Sequence, residues 1–287
     1  MKALTIQQFF NQFPDDDTCL AHLFNVRFGQ GYVCPKCKRE SKWYKIRAER
    51  AYSCQWCGHH LHPTVGTPFE SSRTSLQLWF YAIYLFTQTR SGVSAKELQR
   101  QLGVTYKCAW RIGHEIRKHM AFVDGDDKLN GDVEIDETFI GGYKKKGQGG
   151  KGKVVLFGML DRDGDIMTKV VKNRKWSSLI PHIVQNIKKG SSVYTDEHVA
   201  YKDLKREGFK HSKVNHSQKE YAKGDNHVNT IESYWARLKQ SIRGTHIHVS
   251  AKHLQKYAHE FEYRFNCRLY PERMISELLE TFPEPSK

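Results

Sequence analysis

Two cysteine pairs constrain this chain more than any other feature. Cys34-Pro35-Lys36-Cys37 and Cys54-Gln55-Trp56-Cys57 are separated by sixteen residues, inside the spacing range of a four-cysteine zinc ribbon. Two such knuckles hold four thiolates in a tetrahedron, and the metal replaces the core that so short a segment cannot build. A redox Cys-x-x-Cys is the alternative, but a single redox pair needs no second one at ribbon distance. The expectation is Zn²⁺ on Cys34, Cys37, Cys54 and Cys57, in a reducing compartment and without disulfides. Cys19, Cys108 and Cys267 read as small packed hydrophobes. His59, His60 and His62, just beyond the second pair, read as exposed or phosphate-contacting, although one could substitute as a ligand.

A second pattern points to chemistry. The strand Val133-Glu134-Ile135-Asp136-Glu137-Thr138-Phe139-Ile140 carries Asp136 towards Gly141-Gly142. A second strand, Val193-Tyr194-Thr195-Asp196, carries Asp196, and a helix from about Asn229 carries Glu232. Lys239 follows Glu232 by seven residues, two helical turns, so the pair shares one helix face. Carboxylates on two strands and a helix suit a two-metal phosphoryl-transfer site. Mg²⁺ keeps several waters, so few protein ligands suffice. Any one of these acids could equally be a turn residue or solvated charge.

Charge narrows the partner. There are 46 Lys and Arg against 31 Asp and Glu, a net +15, and a pI near 9.4. Such a field attracts polyanions, so nucleic acid leads and anionic membrane is the weaker alternative. Residues 1–19 lack a continuous apolar core and contain Asp15-Asp16-Asp17, so no secretory signal is expected. The longest apolar run, Leu78 to Phe86, is nine residues against the roughly 20 needed to span a bilayer. A soluble, cytoplasmic protein is expected.

Along the chain, Thr5 and Thr18 are predicted to cap two short helices over residues 5–28. Lys36, Lys38, Arg39, Lys42, Lys45, Arg47 and Arg50, interleaved with Trp43, Tyr44, Tyr52 and Trp56, suit a ribbon face laid on DNA. Residues 63–75 read as a linker, followed by an apolar helix to about Thr87. Ser94 and Glu97 form a capping box, Gly103 makes a turn, and a second helix runs from Thr105 to about Met120. This is a helix-turn-helix pattern, with Thr105, Tyr106 and Lys107 leading into a groove. After an acidic linker at 124–127 and a basic loop at Lys144–Lys153, a hairpin of 154–160 and 166–171 is predicted. The acidic turn within it lacks EF-hand spacing. A helix capped by Ser177 or Ser178 runs to Lys189, a strand at 191–195 delivers Asp196, and a helix near 199–207 precedes a strand around 213–216. Ile231, Trp235, Leu238 and Ile242 form an apolar stripe on the next helix. A helix over 250–267 follows, then a disordered tail after Phe282. The order predicts an α/β fold with a mixed five-stranded sheet flanked by helices. Three segments are expected: 1–70, N-terminal helices and ribbon; 71–123, the helix-turn-helix region; and 124–282, the catalytic domain.

Five stretches together carry a resemblance: Cys34-Pro35-Lys36-Cys37, Val133 to Thr138, Tyr194-Thr195-Asp196-Glu197, Val228 to Trp235, and Phe261-Glu262-Tyr263-Arg264-Phe265-Asn266. They resemble the ISXO-type insertion-sequence transposases, which join a zinc ribbon to a DDE core of ribonuclease H-like, integrase-like fold. The resemblance implies an enzyme that binds the inverted ends of its element in double-stranded DNA, cleaves a strand at each end and joins the 3′-hydroxyl to target DNA. Asp136, Asp196 and Glu232 would hold Mg²⁺ or Mn²⁺, and Lys239 would contact phosphate. Asn229, one turn before Glu232, competes for the third position, with the carboxylate the better magnesium ligand. A homo-oligomer on DNA, associated with the bacterial nucleoid, is implied. Two other functions stay open: a transposase-derived DNA-binding regulator, and a nuclease of the same fold that cuts without joining.

Overall fold

The computed structural model describes residues 4–141, 152–196, 199–213 and 228–285. Its elements are α1 (Ile6–Gln12), α2 (Asp16–Arg27), β1 (Trp43–Lys45), β2 (Tyr52–Cys54), β3 (His60–Leu61), α3 (Leu76–Gln88), α4 (Ala95–Leu102), α5 (Tyr106–Asp124), β4 (Asp132–Ile140), β5 (Val154–Asp161), β6 (Ile166–Val171), α6 (Trp176–Asn186), β7 (Ser192–Thr195), β8 (Lys210–Lys213), α7 (Asn229–Ser241), α8 (Leu254–Asn266) and α9 (Met274–Glu280). They form two compact units, Met1–Val123 with Tyr270–Lys287, and Asp124–Leu269.

The first unit pairs a small antiparallel sheet, β1-β2-β3, with helices. Thr5 caps α1 in a reciprocal capping box with Gln8. Asp15, not Thr18, caps α2, accepting the Thr18 N–H at 2.7 Å; a carboxylate also complements the positive end of the helix dipole. Leu20, Leu23 and Phe24 of α2 pack in a core with Trp79, Phe80, Ile83 and Phe86 of α3, all buried. The expected linker before α3 is packed, with Phe69 buried against Trp79 and Phe80. Ser94 accepts the Glu97 N–H, Gly103 closes α4 at φ +64°, and Thr105 accepts the Cys108 N–H to open α5. Helix α5 runs one turn past its expected end, to Asp124. Helix α9 joins this unit: His119 on α5 donates its Nε2–H to the Leu278 carbonyl at 2.9 Å, and His22 on α2 bonds the Leu279 carbonyl. Past Phe282 the chain stays engaged, with Phe282 against Phe69 and His119 and Arg27 donating to the Pro283 carbonyl.

The second unit is a mixed five-stranded sheet in the order β6-β5-β4-β7-β8. β4 pairs antiparallel with β5 and parallel with β7, and β7 pairs parallel with β8. Three antiparallel strands followed by parallel additions, with helices on both faces, make a ribonuclease H-like sheet. Side chains alternate across β4. Val133 and Ile135 enter one core with Leu179 and Ile183 of α6, while Ile140 enters the other with Ile231, Trp235 and Leu238 of α7. The predicted stripe on α7, Ile231, Trp235, Leu238 and Ile242, is buried in full.

Several local expectations shift. Ser177 and Ser178 lie inside α6, whose cap position is Lys175. The helix expected near 199–207 is two 3-10 turns, Val199–Tyr201 and Leu204–Glu207, and β8 ends at Lys213, so 214–216 lie outside the described residues, as do Gly142 and 144–151 of the basic loop.

Helix α8 covers the outer edge of β6. Ile166, Thr168 and Val170 direct alternate N–H groups to the side chains of Asn266, Glu262 and Gln255, at 2.9, 2.8 and 2.6 Å. The Gln255 and Asn266 amides also donate back to the Thr168 and Ile166 carbonyls. A helix face thus supplies hydrogen bonds that a sixth strand would supply, satisfying groups that would otherwise be orphaned.

Burial depresses the His119 pKa to about 4, partly opposed by its bond to the Leu278 carbonyl. The unfolded chain, with an ordinary value near 6.5, binds the proton more tightly. The contribution of neutral His119 is therefore complete above about pH 6.5 and lost as pH falls towards 4, by about 3 kcal/mol in all. Urea unfolding at pH 7 and pH 5 should show this loss, and His119→Gln should flatten the slope. Gly158 makes a second prediction: a Cβ there would lie 2.6 Å from the Trp235 ring. Gly158→Ala should cost about 1–3 kcal/mol by overpacking, read as a lower urea midpoint.

Candidate active site and metal centre

The sulfurs of the four ribbon cysteines lie within 4.8 Å of one another, with Cys34 to Cys57 at 3.6 Å and Cys37 to Cys54 at 3.8 Å. Zn–S bonds of about 2.3 Å in a tetrahedron require sulfur separations of about 3.8 Å, so the quartet fits zinc. Each knuckle turns through a left-handed residue just after its second cysteine, Lys38 at φ +59° and Gly58 at +68°. Burial pushes the Cys54 thiol up, but the Ser41 hydroxyl and the Cys57 and Trp56 N–H groups outweigh it and bring the value to about 6. Cys57 receives a lowering bond from the His59 backbone, yet burial and sulfur contacts drive it up to about 11. Four adjoining thiols cannot all ionise without a cation, and Zn²⁺ supplies it.

Of the expected DNA-facing residues, Lys36, Lys38, Arg39, Lys42, Lys45 and Arg47 are exposed, as are Tyr44 and Trp56. Three have structural duties instead. Trp43 and Tyr52 are buried, and Arg50 is tied to Asp16 and to the Ser72 and Thr74 carbonyls. Lys45 also pairs with Asp17. Thr105, Tyr106 and Lys107 are all exposed.

In the second unit the register brings the acids together. Ile135 pairs with Thr195 across parallel strands, so Asp136 and Asp196 stand one residue on, at the same level and on the same side. Asp136 is partly buried, and its Oδ2 accepts the Trp235 Nε1–H at 3.0 Å. Burial raises its pKa to about 6; the Glu137 N–H and Trp235 oppose the rise, and the charges of Asp196 and Glu232 add to it. Asp196 and Glu232 therefore lie near enough for their charges to act on Asp136. Glu232 lies exposed in the first turn of α7. Lys239, two turns on, is partly buried; burial lowers its pKa, Asp136 raises it, and Arg243 and Lys153 lower it.

Three residues outside the predicted set shape this site. Glu134 is fully buried, accepting the Ile231 N–H at 2.9 Å and the Arg162 Nε–H at 2.9 Å. It caps the first turn of α7 from across the sheet, where α7 has no cap of its own. Arg162 stacks on Tyr194 at 4.0 Å. Glu137 points to the opposite face, beside Tyr201. Burial raises it to about 7, Tyr201 pulls it down, and Asp136 and Asp196 push it up. Its Oε1 is buried with no hydrogen-bond partner among the described residues. The sequence signal for Glu134 was a charge alternating with apolar residues in a buried strand.

These residues fit a divalent cation. Asp136, Asp196 and Glu232 offer oxygen donors alone and repel one another without one. They spread wider than the zinc quartet, since they are not among the groups of His, Cys, Asp or Glu whose ligand atoms fall within 4.8 Å. Among the described residues no helix is long and apolar enough to cross a membrane.

Two family models match this chain. Residues 128–266 match the family model of the ISXO2-like transposase domain, and residues 14–60 match that of a transposase zinc-ribbon domain. An uncharacterized protein in transposable element ISH50 of Halobacterium salinarum is 29% identical over 282 residues, covering 90% of this chain and 94% of the relative. An uncharacterized transposase-like protein of Haemophilus influenzae is 33% identical over 101 residues, 35% of this chain and 80% of that protein. The crystal structure of the Mos1 strand transfer complex is a loose match, with a TM-score of 0.32 and 12% identity over 70% of this chain and 75% of that one. With its zinc ribbon and its ribonuclease H-like sheet, the chain belongs to the ISXO2-like transposases of insertion sequences.

Proposed function

We propose that this chain binds the inverted ends of its element in double-stranded DNA, cleaves a strand at each end and transfers the freed 3′-hydroxyl to target DNA. What supports the reading is the register that aligns Asp136 with Asp196 on neighbouring parallel strands, with the charges of Asp196 and Glu232 both acting on Asp136. Asp136, Asp196 and Glu232 would hold Mg²⁺ or Mn²⁺, which when bound supplies polarisation of the attacking and leaving oxygens. Glu232 is preferred to Asn229 because its charge acts on Asp136 and a carboxylate is the better ligand.

The chain's own residues do the positioning. Trp235 fixes one oxygen of Asp136 and leaves the other to a ligand. Glu134 fixes the start of α7, and so the height of Glu232 over the sheet. Lys239, on the same helix face, meets a scissile-strand phosphate as a point charge. The ribbon, with Tyr44, Trp56 and its exposed lysines, follows the DNA backbone. Helices α4 and α5 act as a helix-turn-helix, with Thr105, Tyr106 and Lys107 entering a groove. On this reading residues 1–70, 71–123 and 124–282 divide zinc-ribbon, helix-turn-helix and catalytic duties, and the protein works as a homo-oligomer on cytoplasmic, nucleoid DNA.

The test is cleavage and joining on labelled DNA carrying candidate element ends, with Mg²⁺ or with EDTA. Metal-dependent 3′-hydroxyl release followed by joined product is expected, and both should vanish in Asp196→Asn. Binding without either product would indicate a regulator; cutting without joining would indicate a nuclease.

Two predictions follow from the electrostatics. The Asp136 carboxyl is raised to about 6, so its charged form is disfavoured in the fold, and that penalty appears as pH rises through about 6. Asp136→Asn should abolish cleavage yet stabilise the metal-free protein at pH 7.5 by on the order of 1–3 kcal/mol. The stabilisation is read by thermal unfolding and should shrink when Mg²⁺ is added to both proteins. Lys239→Ala should weaken cleavage more than DNA binding, with the salt dependence of binding reduced by about one phosphate contact; a filter-binding salt titration reads this.

A further inference from the structure

Outside the cysteine quartet, one other group of ligand-type side chains converges among the described residues. Glu49, His60 and His62 place a carboxylate oxygen and two ring nitrogens within 4.8 Å of one another. We propose that they form a second metal site on the ribbon, selective for a borderline divalent transition ion of the Zn²⁺ type, with part of its coordination sphere open.

Local structure explains the convergence. His60 and Leu61 form β3, which pairs with β2 through Ser53 and Tyr52. Side chains alternate along it, so Leu61 turns into the core while His60 and His62 share the outer face. Glu49 sits in the turn joining β1 to β2, closed by bonds from the Ile46 N–H to the Ala51 carbonyl and from the Glu49 N–H to the Ile46 carbonyl. That turn brings the Glu49 Oε2 to 3.6 Å from the His60 Nδ1, and the two imidazole rings stand 6.4 Å apart.

A tetrahedral ion with bonds of about 2.0–2.1 Å needs donor separations of about 3.4 Å. The Glu49–His60 pair is close to that already. All three side chains are exposed, so small torsion changes bring in the His62 nitrogen without disturbing the core. Two imidazoles and one carboxylate suit Zn²⁺, Co²⁺ or Ni²⁺, whereas Mg²⁺ and Ca²⁺ prefer oxygen alone. Three protein ligands leave at least one position for water or an anionic oxygen. His60 and His62 line the same surface cavity as Arg27, Lys36, Lys38 and His59, so a bound ion would add to a cationic wall. The ion would also tie the β1–β2 turn to β3. The inference rests on the ribbon alone and stands whether or not the proposed DNA chemistry does.

The test counts metal in the full-length protein. Apo-protein is titrated with Co²⁺ and then with Zn²⁺, beside the double variant His60→Ala, His62→Ala. The intense sulfur-to-cobalt absorption reports the cysteine quartet and should saturate equally in both, showing an intact ribbon. Wild type should then take up one equivalent more than the variant, with only weak nitrogen–oxygen bands added. Ions on the catalytic carboxylates occur in both proteins and cancel in the difference. Equal stoichiometry would overturn the proposal and leave Glu49 and His60 as a surface ion pair. Should the double variant lose the sulfur band, Glu49→Gln in the turn decides: weaker uptake of the extra equivalent supports the site, and unchanged uptake overturns it.

Discussion

Acidic side chains crowded on one face of a central strand govern the second unit. Alternation along β4 sends Glu134, Asp136 and Ile140 towards α7. Glu134 is a buried carboxylate whose two oxygens accept from an orphan helix amide and an arginine. Removing one partner from such an arrangement leaves charge stranded in a medium where that is costly. Asp136, two residues on, accepts the Trp235 N–H but is pushed towards its neutral form by burial. The same strand therefore holds one carboxylate paired with an arginine and a helix amide and another whose charged form burial disfavours.

Gly158 links the two. It stands opposite Asp136 across the β4–β5 ladder and leaves room for the Trp235 indole to lie against the sheet. Without that gap the indole could not reach Asp136, and α7 could not seat its apolar stripe so near the strand. Packing of the core and aim of the site thus depend on the same close approach. This is how a structural helix comes to deliver Glu232 and Lys239.

Much of this was legible in the sequence because it depends on short periods. Cysteine spacing forecast the zinc quartet, apolar runs either side of the acidic turn at 161–165 forecast the β5–β6 hairpin, and the stripe from Ile231 to Ile242 forecast the buried face of α7. Asp136, Asp196 and Glu232 could be named, but the alignment of Asp136 with Asp196 depends on β4 and β7 being parallel and in register, which no local pattern encodes. Glu134 was missed for the same reason: its partners, Arg162 and Ile231, lie 28 and 97 residues away. Asp15 displaced Thr18 as a cap because both are good capping residues one turn apart. The return of the chain after Leu269 to pack α9 with the first unit has no sequence signature beyond a few apolar residues.

The stretch Phe261 to Asn266 is part of the resemblance to transposases, and two of its side chains are tied to the backbone of β6. Glu262 and Asn266, with Gln255, occupy the backbone groups that β6 would otherwise show to solvent. A sheet sealed along that margin cannot be lengthened by a strand from elsewhere. A strand arriving at that edge would find the amides of Ile166, Thr168 and Val170 already taken, which lowers the hazard of edge-to-edge pairing there. The motif reads, in physical terms, as a seal on one edge of the sheet.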